Sequence, residues 1–280
     1  MTPSSFPIGV LGLGIIGSRV AENLRKAGYA VAAWSRTPRE MPDYLPTPQA
    51  VAEKARIIQI FVRDSEALLQ ALNEMRPALT SEHIVMNHAT VSKAATLEAA
   101  KLCAETGAAF LDAPFTGSKM AAQNGKLVYY VGGDPAILLQ VTPVLEASAA
   151  KILPLGDIGQ AMVLKIVTNL VSSITVEALA EAVAITQGHG VPLELLHTAL
   201  ESNANYSTLV GMKLPAIMKG DFETHFSLRN MLKDADFARE LAAEAQVAAP
   251  ALEVTATAMR QGVEAGAGDL DFSVIGRAKK

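Results

Sequence analysis

IGVLGLGIIG, at residues 8–17, passes from a short apolar run into three glycines, and the amphipathic segment SRVAENLRKAG follows at once. Gly12, Gly14 and Gly17 have the G-x-G-x-x-G spacing that binds a dinucleotide where a strand turns into a helix. The first glycine permits a tight turn, the second lets the backbone approach a pyrophosphate, and the third lets helix and strand pack closely. A side chain at any of the three is therefore expected to obstruct binding. We predict a dinucleotide site formed by Gly12, Leu13, Gly14, Ile15, Ile16 and Gly17, with the phosphates at the helix N-terminus; the alternative is a tight turn in an unrelated α/β domain.

Short apolar runs of β type recur along the first half of the chain, at residues 8–13, 29–34, 56–62, 84–88, 109–113, 127–131 and 151–154. Because helical segments separate them, they predict a parallel, doubly wound sheet. After Gly156–Gly159 the pattern is helical throughout, at 160–188, 192–201, 209–219, 228–245 and 249–262. We predict an α/β fold with a Rossmann domain at 1–157 and an all-helical domain at 158–280, joined by one long helix.

The composition narrows the class of protein. The 280 residues are 50% hydrophobic and 19% charged, which is typical of a well-packed globular protein. The net charge is −4 and no run of Lys or Arg exceeds two residues, so the basic surface of a nucleic-acid binder is missing. The single cysteine, Cys103, cannot form an internal disulfide, and we expect it to be buried. This usage suits a reducing, cytoplasmic compartment.

Two segments resemble targeting or membrane signals. MTPSSFP, followed by apolar residues and glycines, has the length of a signal-peptide core, but it has no positive leader, and we expect no export. Residues 161–185 are apolar enough to suggest a membrane span, but Lys165, Asn169, Glu177 and Glu181 interrupt them. Because charges within a span are costly, we expect a long helix buried in protein and no membrane partner.

The second β-type run ends in Ser35, Arg36 and Thr37. Enzymes that prefer NAD usually place an acidic side chain near this point, where it holds the ribose diol. A cation with two neighbouring hydroxyl donors suits a 2′-phosphate instead, which favours NADP(H) as the cofactor. Arg39 is a weaker second candidate, and the alternative interpretation is a solvated arginine at a strand end.

Five separated motifs resemble the β-hydroxyacid dehydrogenase family (3-hydroxyisobutyrate dehydrogenase-like), in the family's order and over nearly the whole chain. They are the glycine turn with WSRTP, ATVS at 89–92, FLDAPFTGSKMAAQNGKLVYYVGG at 110–133, GQAMVLKIVTNL at 159–170 and FSLRNMLKD at 226–234. GSK at 117–119 and GAGDLDFS at 266–273 are most similar to its glyoxylate and succinic semialdehyde reductase branch. The resemblance implies an NADP-dependent oxidoreductase acting on small carboxylate substrates.

Lys165 is the candidate catalytic residue. A lysine in a long apolar helix is costly unless it is used, and Asn169, four residues later, lies on the same helix face. The resemblance implies that Lys165 protonates the carbonyl oxygen and that Asn169 orients it. Burial is expected to lower the lysine pKa and make it a better acid. The alternative is a lysine that snorkels from a helix end.

A turn after a strand and a proline offers donors to a carboxylate. Thr116 and Gly117 provide a hydroxyl and backbone N–H groups there. The resemblance implies that Thr116, Gly117 and Ser118 bind the substrate carboxylate; Ser118 replaces the usual glycine and is expected to narrow the pocket. It also implies that Thr90 lies near the nicotinamide ribose and the substrate, although strand-end capping is an alternative role for Thr90.

Three residues in the second half carry roles only through the resemblance. It implies that Lys233 contacts the cofactor, that Asp234 helps to fix the substrate cleft and that Phe226 lines the pocket. Taken alone, a Lys-Asp pair on a helix is usually a solvated face.

The chain also departs from the family pattern. Ala161 stands where a glycine is common and is expected to crowd the nicotinamide end, and the proline-rich loop after Arg36 is short. His88 occupies a position that is usually apolar, with no assigned role. The other histidines have no metal-ligand spacing, so we expect no metal site.

We therefore predict an NADPH-dependent reductase of small aldehyde or keto acids such as glyoxylate or succinic semialdehyde, reversible as a hydroxyacid dehydrogenase. An imine reductase is the enzymatic alternative, although imine reductases usually replace the lysine. A catalytically silent dinucleotide-binding module is the other. The long apolar helix and the family habit predict a homodimer or homotetramer.

Overall fold

The computed structural model describes residues 6–279, so the expectation about a leader in residues 1–5 lies outside the described residues. The chain forms two compact units, one ending at Lys165 and one starting at Ile166. The first contains a five-stranded parallel sheet of β1 (Ile8–Leu11), β2 (Val31–Trp34), β3 (Ile57–Ile60), β4 (Ile84–Asn87) and β5 (Ala109–Asp112). Their order is β2-β1-β3-β4-β5. The predicted Rossmann-like sheet is confirmed.

Four helices connect these strands: α1 (Gly17–Lys26), α2 (Pro48–Lys54), α3 (Ser65–Met75) and α4 (Lys93–Ala104). Short polar side chains begin the last three, because Thr47, Asp64 and Ser92 each accept a backbone N–H of the first turn. The apolar face of α1 packs into the core of this unit through Val20 and Leu24. The sheet order reverses between β1 and β3, and such a switch point opens a crevice at the carboxyl ends of the strands.

The runs at 127–131 and 151–154 do not extend this sheet, contrary to the prediction of one parallel sheet. They are β7 (Leu127–Val131) and β8 (Ala149–Pro154) of a second, three-stranded sheet, which β6 (Phe115–Thr116) joins in antiparallel pairing with β7. Pro114 has no N–H for a ladder, and the chain reverses after β5. Helix α5 (Lys119–Gln123) connects β6 to β7, and helix α6 (Pro135–Glu146) connects β7 to β8.

The second unit is helical, as predicted. Helix α7 (Gln160–Gly188) has 29 residues and runs from the end of the first unit into the second. It is followed by α8 (Leu193–Glu201), α9 (Thr208–Lys219), α10 (Leu228–Glu244) and α11 (Pro250–Gly262). A π-helical turn at Val263–Ala267 and a 3-10 segment at Phe272–Lys279 close the described chain.

The predicted domain boundary, 157/158, lies just before α7, whereas the two units divide inside this helix. The first turn of α7 belongs to the first unit because a carboxylate oxygen of Asp112 accepts the N–H groups of Gly159 and Met162, at 3.1 and 2.8 Å. The helix start is thereby tied to the end of β5.

By length and composition, α7 is the one helix in the described part of the chain that could cross a membrane. A core helix of a water-soluble protein meets the same criterion. Within the single chain, 44% of the apolar 18-residue stretch of this helix is buried. The expectation of a buried helix holds for the side where Met162, Ile166 and Val176 are buried. Leu164, Val167, Val171 and Ile185 are exposed.

Candidate active site

The glycine turn after β1 requires two of its glycines for internal reasons. Gly12 has φ +94°, and a Cβ there would collide with the carbonyl oxygen of Phe61. A Cβ on Gly17 would collide with the carbonyl oxygen of Gly12. These two positions therefore fit the roles of a tight turn and a close helix–strand contact.

Gly14 differs from both. It is exposed, and a Cβ built on it meets no protein atom within 4 Å. The expected obstruction therefore does not come from the protein itself. The open space lies where the motif brings the backbone close to a pyrophosphate, so the turn fits a dinucleotide.

The N-terminus of α1 is suited to an anion. Its N-cap residue is Ile16, which makes no side-chain capping hydrogen bond, and the first turn of this described helix contains no acidic residue. The Ser18 and Arg19 N–H groups already donate to the carbonyl oxygens of Gly14 and Ile16, so it is the preceding N–H groups of the glycine turn and the helix dipole that favour a phosphate there. The Arg19 side chain adds a cation beside the turn and donates to the carbonyl oxygen of Ile15 at 2.5 Å.

The end of β2 presents Arg36 and Thr37 to solvent, whereas Ser35 is buried. The Ser35 hydroxyl donates to the carbonyl oxygen of Thr37 at 2.5 Å, so in this structure its proton is directed at the backbone, and its role as a donor to the cofactor stays a prediction. Tyr44, which sequence reasoning missed, donates to the carbonyl oxygen of Ser35 at 2.8 Å. Arg36 and Thr37 are the exposed candidates for the 2′-phosphate.

The carboxyl end of β4 leads to Thr90. The Asn87 side chain folds back on the backbone, accepting the N–H and donating to the C=O of Ala89 at 3.1 Å each. This closed turn sets the half-buried Thr90 three residues after the end of the strand. The predicted place of Thr90 at a strand end is the observed one.

The predicted carboxylate turn follows β6. Gly117 has φ +140°, and a Cβ there would lie 2.8 Å from the Leu127 side chain, so only glycine fits without strain. Thr116 is half-buried in β6. The Ser118 oxygen accepts the Ala121 N–H at 3.3 Å and caps α5, which leaves the hydroxyl proton available to donate.

Lys165 and Asn169 are both buried, at 8% and 9% exposure. Both lie on α7, whose start is held by Asp112. Burial raises the pKa of Asp112 to about 7, even though its two N–H hydrogen bonds act in the opposite direction. Ala161, at the start of the same helix, is fully buried, and its expected crowding of the nicotinamide end stays a prediction.

Asp234, in the second unit, is buried and organises two of the predicted site residues. It accepts a hydrogen bond from Asn169 Nδ2 at 2.7 Å and one from Lys233 Nζ at 2.8 Å. Lys233 also lies over the Phe237 ring, 4.8 Å from its centroid. Each carboxylate oxygen thus has a protein partner, so Asp234 orients Asn169 and Lys233 rather than presenting a free carboxylate.

Phe226 is held by a buried ion pair that sequence reasoning missed. Lys213 Nζ lies 2.7 Å from Asp271, and the other oxygen of Asp271 accepts the N–H of Phe226 at 3.1 Å. Burial acts to raise the pKa of Asp271, but the hydrogen bond and charge of Lys213, together with two hydrogen bonds from Ser273, outweigh it and hold that pKa below its ordinary value. The Phe226 ring packs edge-on against Phe272. A signal was available in the sequence, since Lys213 interrupts an apolar helix.

Within residues 6–279, no cluster of three or more His, Cys, Asp or Glu side chains could hold a metal ion. Cys103 is buried, and burial raises the pKa of its thiol to about 12.

Two family models account for almost the entire chain. Residues 7–159 match the NAD-binding domain of 6-phosphogluconate dehydrogenase, and residues 159–278 match the NAD-binding model of NADP-dependent 3-hydroxyisobutyrate dehydrogenase. Both models describe nicotinamide-cofactor proteins, in agreement with the open glycine turn.

Three relatives illustrate the likeness. Glyoxylate/succinic semialdehyde reductase 2 of Arabidopsis thaliana is 27% identical over 98% of this chain and 79% of its own length. The 3-hydroxyisobutyrate dehydrogenase of Mycobacterium tuberculosis, solved with L-serine, superposes with a TM-score of 0.90 at 24% identity, covering 98% of this chain and 99% of that one. An imine reductase variant from Myxococcus stipitatus in complex with NAD+ has a TM-score of 0.66 at 20% identity, covering 99% and 100%.

The two matched models meet at residue 159, next to the start of α7, and together they take in the glycine turn, the Thr116 turn, Lys165 and Asp234. The chain therefore belongs to the β-hydroxyacid dehydrogenase family and is an NAD(P)-dependent oxidoreductase of the hydroxyacid dehydrogenase type.

Proposed function

We propose that this protein is an NADPH-preferring reductase of small aldehyde or keto acids, with glyoxylate and succinic semialdehyde as the first substrates to test. One observation carries the proposal: Lys165 and Asn169 are buried one turn apart on α7, and Asn169 is fixed by the carboxylate of Asp234. A buried cation with an oriented neighbour is costly for folding alone, so its presence favours a chemical role.

Lys165 is the proposed general acid. The bound cofactor supplies the hydride for reduction, and Lys165 donates a proton to the carbonyl oxygen as negative charge develops there. Asn169, held by Asp234, orients the substrate oxygen toward the lysine. In the reverse direction Lys165 takes the hydroxyl proton back.

The turn at Thr116–Ser118 is the proposed carboxylate site. Thr116 and Ser118 offer hydroxyl protons, and Gly117, whose φ of +140° suits only glycine, contributes a backbone N–H beside them. The Arabidopsis relative is named for two substrates, glyoxylate and succinic semialdehyde, each of which is an aldehyde that carries a carboxylate. This shared chemistry supports the substrate class.

The preference for NADPH rests on Arg36. It is exposed at the end of β2 beside Thr37, at the point where enzymes that use NAD have an acid for the ribose diol. A guanidinium there favours a 2′-phosphate through a charge-assisted hydrogen bond.

The decisive experiment measures NADPH oxidation with a panel of small keto acids, semialdehydes and neutral aldehydes. Lys165→Met keeps the side-chain length and loses the charge; we expect NADPH affinity within a few-fold and a fall in kcat of roughly 10²-fold or more. Lys151→Met, at an exposed position of β8, is the matched control and is expected to leave kcat unchanged. Near wild-type reduction by a folded Lys165→Met variant that binds NADPH would refute the proposed role.

The same panel separates the two other functions. An imine reductase would consume NADPH with a ketone and an amine but not with a keto acid alone. A silent module would bind NADPH without oxidising it. The presence of Lys165 supports the hydroxyacid reaction over both.

We also propose a homodimer or homotetramer in the cytoplasm. Leu164, Val167 and Val171 are exposed on one side of α7, and α8 adds the exposed Leu195. An exposed apolar stripe of this kind is suited to a second copy of the chain. Light scattering of the wild type and of Val171→Asp tests the oligomeric state, because the charged variant is expected to have a lower molar mass in solution.

The cytoplasmic location is proposed from Cys103, because a free, buried cysteine suits a reducing compartment.

A further inference from the structure

His88 has no role in the proposed reaction, yet it lies at the carboxyl end of β4, near the predicted site residues of the first unit. It directly follows β4, inside the Asn87–Ala89 turn that leads to Thr90, and it is buried. Its backbone N–H continues the parallel ladder by donating to the carbonyl oxygen of Ile60 at 2.9 Å. The imidazole is therefore fixed to the carboxyl edge of the sheet.

The ring makes one short polar contact. His88 Nδ1 lies 2.6 Å from the carbonyl oxygen of Ala113. Because a carbonyl oxygen can only accept, Nδ1 carries the proton and Nε2 is left as an acceptor. Nε2 is buried without a hydrogen-bond partner among the described residues. An apolar side chain at this position would leave no buried acceptor unpaired. The favourable polar interaction that histidine has over an apolar residue here is therefore the hydrogen bond from Nδ1 to Ala113.

The ring is also the centre of an aromatic layer. It stacks on Phe61 with centroids 4.6 Å apart and contacts Tyr129 at 5.0 Å, and Phe115 packs against both of these rings. The layer joins two parts of the candidate site, because the Phe61 carbonyl faces Gly12 and Phe115 directly precedes Thr116.

We propose that His88 is a positioning residue for the carboxylate turn at Thr116–Ser118, acting through the Ala113 carbonyl and the Phe115 ring. The inference rests on the proposed function, in which this turn binds the substrate carboxylate. Only Pro114 and Phe115 separate Ala113 from Thr116, and the proline restricts its own backbone. A shift at Ala113 is thus transmitted to the turn, where small misplacements of binding groups are costly.

Two amide variants separate positioning from bulk. His88→Asn places an N–H donor near the position of Nδ1, whereas His88→Gln places it near Nε2, away from Ala113. We expect His88→Gln to raise KM for glyoxylate or succinic semialdehyde by about tenfold, with NADPH affinity within twofold. The separate His88→Asn variant, which keeps a donor for the Ala113 carbonyl, is expected to have a KM within about threefold of the wild-type value.

The chain offers a matched control at the other end of the same strand. His83 precedes β4, is also buried, and its Nε2 lies 2.9 Å from the carbonyl oxygen of Ala52. His83→Asn removes that contact far from the carboxylate turn, so we expect no change in KM. An equal rise in KM for His83→Asn and His88→Gln would show a general loss of packing and overturn the proposal.

Backbone hydrogen exchange by mass spectrometry gives a readout that needs no substrate. His88→Gln is expected to exchange faster in a peptide covering residues 113–118, and His88→Asn to exchange as the wild type does. Unchanged exchange in His88→Gln, or equal effects of Asn and Gln, would refute the role of His88. If the wild type reduces no acidic substrate, the proposed function fails, and the exchange measurement alone then decides whether His88 holds the turn.

Discussion

Gly14→Ala separates cofactor binding from folding more cleanly than any other change in the glycine turn. Gly14 is exposed, a Cβ there meets no protein atom within 4 Å, and its φ lies outside the left-handed region. Replacing glycine where the backbone is already compatible raises the free energy of unfolding by about 0.4–1 kcal/mol. The variant is therefore expected to be as stable as the wild type or slightly more stable.

The same methyl group would occupy the space through which the backbone approaches the pyrophosphate. Moving the phosphates away weakens one or two charge-assisted hydrogen bonds, each worth about 1.5–3 kcal/mol. NADPH affinity should then fall by at least about tenfold, since about 1.4 kcal/mol is a factor of ten.

Isothermal titration and urea denaturation measure the two quantities side by side. Gly188→Ala, at an open position of α7, is the matched control and should leave NADPH affinity unchanged. Gly12→Ala should instead lose stability, because its Cβ collides with the Phe61 backbone at φ +94°. Wild-type NADPH affinity in Gly14→Ala would refute the placement of the pyrophosphate over this turn.

Three further outcomes are expected. Arg36→Asp should lower kcat/KM for NADPH by about tenfold or more and leave that for NADH little changed; equal efficiency of the wild type with both cofactors would contradict the assignment. Thr116→Ala should raise KM for glyoxylate far more than for a neutral aldehyde of similar size, and an equal change would indicate packing alone. Burial lowers the pKa of His88 from 6.5 to about 4, so only the unfolded chain binds this proton between those values and stability falls as the pH drops through them. The stability advantage of wild type over His88→Asn should shrink by about 3 kcal/mol between pH 7 and pH 4 in urea melts, and a constant difference would contradict the neutral, buried ring.

The parts of the site that the sequence predicted well are those whose chemistry is visible in a few neighbouring residues. The spacing of Gly12, Gly14 and Gly17 between a strand and a helix is a local pattern, and the structure has that turn at the predicted place. Lys165 was identifiable for a similar reason, because a charge within an apolar helix stands out without knowledge of its partners.

The parts that could not be predicted depend on contacts between residues far apart in the chain. Asp112 reaches Met162 across 50 positions, and Asn169 reaches Asp234 across 65. The two-residue strand β6 is too short for a periodic pattern, so the antiparallel pairing that separates the second sheet from the first was missed.

The contacts of small polar residues at the ends of elements are the hardest to predict from sequence. Ser35 and Ser118 both carried proposed ligand roles, and in the structure each hydroxyl makes a local backbone contact. Serine commonly satisfies backbone groups two or three residues away, so its presence near a site does not distinguish a ligand contact from a turn or cap. In this structure the Ser118 hydroxyl acts as an acceptor, whereas the Ser35 hydroxyl acts as a donor.

Two buried carboxylates fix α7 on either side of Lys165. In the first unit Asp112 binds the N–H groups at the helix start, and in the second Asp234 binds the Asn169 side chain one turn beyond the lysine. Asp112 accepts two backbone N–H groups of the helix start, and Asp234 accepts from Asn169 on this helix and from Lys233 on α10. These bonds hold the helix start within the first unit and the Asn169 segment within the second, so the backbone that carries the proposed acid is positioned by folding and not at the moment of reaction.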